Sequence, residues 1–129
     1  MALAFYLEGE RNSYADGVLE RMASGAEAVV PSLWLFEVAN ALLMAERRRR
    51  LTEAQTAFFL EQLSTLPVSV DPPAARHIFE PALLEARRWN LTVYDAAYLE
   101  LALRRGIPLA TLDDALKKSA KSLGVPLLS

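Results

Sequence analysis

The sequence predicts an α/β protein, a three-layer α/β/α sandwich around a short parallel sheet. Short apolar runs (Ala28-Val29-Val30, Val68-Ser69-Val70 and Pro108-Leu109-Ala110) alternate with longer stretches of helical periodicity. Parallel strands need long crossover connections, and helices of that length supply them. The 129 residues are 53% hydrophobic, which is enough apolar material for one core. No repeat or low-complexity linker divides the chain, so residues 1–129 are expected to form a single domain.

The elements follow in order. Ser13 with Asp16 resembles a capping box, and Tyr14, Val18, Leu19 and Met22 then recur at helical spacing until Ser24-Gly25. After the strand at Ala28, Pro31-Ser32 opens a helix with Trp34, Val38, Ala41, Leu42 and Ala45 on one side, closed by Arg47 to Arg50. Thr52 with Gln55 caps the next helix, which carries Ala57, Phe58, Leu60 and Leu63. Pro72-Pro73 precedes a helical stretch that runs to Trp89, kinked or restarted at Pro81 and stopped by Asn90. A helix from Thr92 runs to the stop at Gly106, and the last one runs from Asp113 to Leu123 before Gly124. Val125 to Leu128 is expected to be a final strand.

Composition narrows the chemistry. The chain has 14 Lys+Arg against 16 Asp+Glu, a net charge of −2, so any contact with a polyanion must be local. With no cysteine and only His77, thiol catalysis, zinc-thiolate sites and a His-based triad drop out. Carboxylates are left to carry any chemistry. No apolar run approaches the roughly 18 residues of a membrane span, and the start MALAFYLEGE lacks the basic opening of a signal peptide, so a soluble cytoplasmic protein is expected.

Three acids stand where such a fold gathers a site, at the carboxyl ends of strands and the starts of the following helices: Glu37, Asp95 and Asp113. Glu37 lies in the apolar stretch SLWLFEVANALL, where a carboxylate is costly to bury unless it is protonated, paired or bound to a cation. Asn40, one turn on, and Thr111, two residues before Asp113, could orient these acids. Each acid alone has an ordinary reading, since Asp and Glu are common as caps and dipole partners at helix starts. Their coincidence points to function. Carboxylates clustered without His or Cys suit Mg²⁺ or Mn²⁺ and hence phosphoryl chemistry.

These residues resemble the PIN-domain family, and within it the VapC-like toxins of toxin–antitoxin pairs. The carriers are PSLWLFEVANALL at 31–43, LTVYDAAYLELALRRGIPLATLD at 91–113 and GVPLL at 124–128. The resemblance implies a Mg²⁺-dependent endoribonuclease with Glu37, Asp95 and Asp113 as catalytic and metal-site acids and Asn40 and Thr111 in support. It also implies an RNA substrate, an antitoxin partner and a homodimer. Members of the family begin with a strand ending in Asp, the first acid of the site. That strand and its Asp have no counterpart here, so the domain is expected to lack its first strand and the native chain to be longer by about 6–8 residues. Asp16 does not stand in for that acid, because it belongs to the Ser13 capping turn.

Two other readings compete with the nuclease. A PIN-like binding module with an incomplete metal site would act by holding an antitoxin. A receiver-like regulator fits least, because all three Lys (Lys117, Lys118 and Lys121) lie on the last helix. Arg47 to Arg50, Arg87-Arg88 and Arg104-Arg105 read as helix ends before they read as RNA contacts. His77 reads as a structural or surface residue. Trp34, Phe36, Phe58, Phe59 and Phe79 are expected mainly in the core or between helices, with any exposed excess marking a partner surface. No base-reading constellation identifies an RNA sequence.

Overall fold

The computed structural model describes residues 2–4 and 20–128. Its strands are β1 (Ala2–Ala4), β2 (Ala28–Pro31), β3 (Val68–Asp71) and β4 (Leu109–Thr111). They form a four-stranded parallel sheet in the order β3-β2-β1-β4. The register pairs Ala28 with Val68 through Pro31 with Asp71, Ala2 with Val29, and Ala2 with Leu109 through Ala4 with Thr111. From the interior strand β1 the chain builds outward to β2 and β3, then returns to add β4 on the other side. The reversal between β1 and β4 is where a parallel α/β sheet opens a crevice at its carboxyl edge.

Two expectations are corrected. The sheet was expected to lack its first strand, yet Ala2–Ala4 fills the interior place between β2 and β4. Backbone N–H and C=O groups of both neighbours need partners there, and three residues provide them. The strand reads Ala-Leu-Ala, so it brings no acid to the edge. At the other end, Val125 to Leu128 gives an isolated bridge from Leu127 to Leu109 in place of a strand. Pro126 has no N–H to extend the ladder; its carbonyl accepts from Leu109 N at 2.9 Å, and Leu128 N donates back to Leu109 at 3.0 Å.

The helices match the sequence pattern closely. They are α1 (Leu33–Arg47), α2 (Glu53–Leu63), α3 (Ala75–His77), α4 (Leu83–Trp89), α5 (Val93–Arg105) and α6 (Asp114–Ser122). Residues 20–23 are also helical and stop at Ser24-Gly25, with Gly25 at φ 111°. The Ser13–Asp16 capping turn lies outside the described residues. Between α3 and α4, Ile78–Ala82 winds as a π-helix around Pro81. Proline removes an N–H and crowds the preceding turn, and the wider helix accommodates both. Asn90, left-handed at φ 53°, ends the stretch as predicted. His77 is structural: its Nδ1 accepts from Ala74 N at 3.1 Å and caps α3.

The core forms where α5 meets the sheet. Ala96 to Ala102 are all buried, and Leu99 and Leu101 sit among Val29, Val30, Leu109, Ala110, Trp34, Val38, Leu42 and Leu116. Burial on every side over these two middle turns explains why the sequence there reads as apolar without a clear stripe. At its far end Arg104 forks between two acids, with Nε 2.6 Å from Glu100 and Nη2 2.8 Å from Asp71 at the end of β3; Arg105 reaches Asp71 at 3.3 Å. These arginines do more than close a helix, because they clamp α5 to the sheet edge.

The aromatic expectation is half right. Trp34 is buried and Phe59 half-buried, but Phe36, Phe58 and Phe79 are 77%, 63% and 74% exposed. Helix α2 buries no residue. It is held by a complete capping box, with Thr52 Oγ1 accepting from Gln55 N and Gln55 Oε1 accepting from Thr52 N, and by Thr56 Oγ1 donating to Glu46 of α1 at 2.7 Å. Thr52→Ala is therefore expected to cost about 1 kcal/mol in chemical denaturation. A change near zero would show that tertiary contacts alone hold α2.

Candidate active site

The acids are set by the starts of three helices. Thr92 caps α5, its Oγ1 accepting from Asp95 N at 3.1 Å, which fixes Asp95 in the first turn. Asp113 caps α6, its Oδ1 accepting from Leu116 N at 2.8 Å. Its own N–H donates to Thr111 Oγ1 at 3.0 Å, and Thr111 is buried at the end of β4. Thr111 thus orients the backbone from which the Asp113 carboxylate projects. Glu37 stands in the first turns of α1, half-buried, and accepts a hydrogen bond from the Tyr98 hydroxyl on α5. Asn40 lies three residues further along α1 and is exposed.

Asp95 and Asp113 come close enough to feel one another. Burial, and then the Asp113 charge, push the Asp95 carboxyl above its ordinary value, while the Thr92 hydrogen bond pulls it back. Two like charges at a partly desolvated edge destabilise each other, and a cation between them reverses the sign. The N-terminal ends of α5 and α6 contribute positive dipole, which suits acids at these positions but offsets the repulsion only in part.

Glu37 is tied to this pair indirectly. Tyr98 follows Asp95 by one turn of α5, so one helix presents Asp95 and holds Glu37. No group of three Asp, Glu, His or Cys close enough to hold a metal occurs among the described residues. The pair alone still fits a hard divalent cation: Mg²⁺ binds through oxygen, commonly uses one or two carboxylates and keeps several waters. Sequence reasoning missed Tyr98, although a single phenol in the run DAAYLELA, one turn after the acid, was a visible sign of a buried hydroxyl needing a partner.

The family model for the PIN domain matches residues 2–122, from β1 to the end of α6. The chain belongs to the PIN-domain family. Within it, this PIN domain is VapC-like: it is 33% identical over 124 residues to Ribonuclease VapC3 of Pyrobaculum aerophilum, covering 95% of this chain and 92% of that one. Its fold also matches the crystal structure of PAE2754 from Pyrobaculum aerophilum with a TM-score of 0.63 and 27% identity, over 92% of this chain and 87% of that one. The matched span of this PIN domain contains Glu37, Asn40, Tyr98 and the Asp95–Asp113 pair. Among the described residues no helix is long and apolar enough to cross a membrane.

Proposed function

We propose that this PIN domain is a Mg²⁺- or Mn²⁺-dependent endoribonuclease, the cytoplasmic toxin of a toxin–antitoxin pair. The observation that carries the reading is the electrostatic coupling of Asp95 and Asp113 at the edge where β4 hands over to α6. Asp95 and Asp113 would hold the cation, with Glu37 as the third acid. When bound, a divalent cation makes water more acidic and offsets charge on a phosphodiester. The chain's own part is to supply negative charge on rigid helix starts. Thr92 and Thr111 fix the backbone at Asp95 and Asp113, and Asn40 offers a neutral amide on the Glu37 side. The resemblance to a protein named as a ribonuclease supports RNA as the substrate.

A protein partner is supported by the apolar side chains left in solvent. Phe36 and Leu43 on α1 and Phe58 and Leu60 on α2 are exposed, and the Thr56–Glu46 hydrogen bond joins the two helices. Apolar surface of this kind suits an antitoxin segment or a second copy of the chain. Arg47 to Arg50 at the end of α1 are exposed as well.

The test is RNA cleavage by the purified protein with Mg²⁺, with Mn²⁺ and with chelator. Cleavage that chelator stops and added Mg²⁺ restores is expected. A second reading, a binding module that acts only through a protein partner, is favoured by the absence of an acid in β1 and of a three-acid cluster among the described residues. A folded protein that cuts no RNA in a broad pool under any of these conditions would establish that reading instead.

A further inference from the structure

We infer that Tyr94 is a substrate-binding residue, a platform on which one nucleobase of the RNA stacks beside the phosphodiester that faces Asp95 and Asp113. The inference rests on the nuclease reading above and concerns how the chain holds the strand it cuts. Tyr94 is 68% exposed and immediately precedes Asp95 in the first turn of α5. Leu112, 43% exposed, stands in the same relation to Asp113 at the start of α6. Each acid of the pair is thus flanked by apolar surface open to solvent. The exposure of Tyr94 comes from its place along the helix. Tyr98, one turn further on the same face of α5, is 3% exposed within the core, and Val93, just before Tyr94, packs against Ala82, Ala86 and Ala96. Helical side chains lean towards the N-terminus, so a residue in the first turn covers the surface beyond the helix start. For α5 that is the edge where the Asp113 charge is felt.

Charge favours a nucleobase as the occupant. The chain carries a net charge of −2, and two carboxylates by themselves repel a polyanion. A cation offsets that repulsion at one phosphate, but a chain of net negative charge gains little from bulk attraction to the rest of the strand. Stacking does not depend on net charge, and every base has a π-face, so an aromatic platform holds RNA without reading its sequence. A tyrosine suits this task because its flat ring is ordered at the cost of two side-chain torsions. A protein segment is the competing occupant. Phe36 and Leu43 on α1 and Phe58 and Leu60 on α2 offer it a broader apolar surface, whereas Tyr94 adjoins the Asp95–Asp113 pair.

The test is Mg²⁺-dependent cleavage of a short single-stranded RNA by the parent, Tyr94→Ala, Tyr94→Leu and Tyr94→Trp. It is repeated on substrates carrying an abasic nucleotide at each position near the cut in turn. Tyr94→Ala and Tyr94→Leu are expected to raise KM by about tenfold with kcat within about threefold of the parent, while Tyr94→Trp stays within about threefold in both. At one position the abasic substrate should cost the parent the same factor of about ten and cost Tyr94→Ala less than about twofold, because the stacked contact is already gone. A parental KM for Tyr94→Ala overturns the inference, and so does a parental KM for Tyr94→Leu, which would reduce the ring to apolar area. Losses that multiply at every abasic position overturn it too. The abasic series on the parent needs no variant: indifference to every position is a refutation by itself. Parental cleavage by a Tyr94→Ala protein that has lost the parent's self-association would assign the ring to a second copy of the chain instead. A parent that cuts no RNA removes the nuclease reading as well, whereas a cutting parent matched by Tyr94→Ala removes this inference alone.

Discussion

Replacing Asp95 or Asp113 with Asn is expected to lower Mg²⁺-dependent RNA cleavage by on the order of 10³-fold, equivalent to about 4 kcal/mol of lost transition-state stabilisation. Both variants should fold. Asn caps a helix about as well as Asp, so Asp113→Asn keeps the α6 cap. Asp95→Asn should even stabilise the metal-free protein, because it removes a charge that burial and Asp113 both penalise. The pH dependence has a definite sign. A carboxyl whose folded value is raised costs stability when ionised, so the cost is fully present above that raised value. It is relieved as pH falls through the raised value towards the ordinary one. The gap between Asp95→Asn and the parent should therefore be widest near neutral pH and close in acid, as denaturant melts across pH can show. Full cleavage by either variant would remove that residue from the site.

The second large effect is structural. Arg104→Ala should destabilise the fold by about 3–5 kcal/mol, because it leaves Glu100 buried without its counter-charge and leaves Asp71 only the longer contact with Arg105. Replacing Arg104 and Glu100 together with apolar side chains of similar volume should recover most of that loss. Equal destabilisation by the single and double replacements would mean that packing of the arginine stem, not the charge, holds the helix. Asp71 adds a pH signature of opposite sign to that of Asp95. The Arg104 hydrogen bond and the nearby arginine charges hold its carboxyl below the ordinary value against the opposing effect of burial. Its contribution is present above the ordinary value and is lost as pH falls through the depressed one.

Periodicity and caps carried most of the architecture. Thr52-Gln55, Asn90 and Gly106 mark the boundaries the structure shows, because each signal is local: a side chain bonding its own turn, or a residue tolerant of positive φ. Partners distant in sequence were out of reach. Ala2–Ala4 has no strand signature of its own and becomes a strand by lying between β2 and β4. Arg104 read as a solvated helix end because its partner Asp71 is 33 residues away. That Asp95 and Asp113 stand at helix starts was legible, since it follows from their position relative to predicted strands. The link between Glu37 and α5 was not, because it depends on how α1 and α5 pack. The exposure of Phe58 could not be read either, as an apolar helix that packs on a partner has the same pattern as one that packs on its own core.

The central claim is that Asp95 and Asp113 form a coupled carboxylate pair built to take a divalent cation. Carboxyl-carbon NMR of the metal-free protein, followed through an acid titration with and without Mg²⁺, tests it most directly. The account predicts that Asp95 titrates above its ordinary value without metal, and that Mg²⁺ pulls the Asp95 titration down while shifting both carboxyl resonances. An Asp95 carboxyl that titrates at its ordinary value, with both signals indifferent to Mg²⁺ at concentrations where RNA is cut, would contradict it.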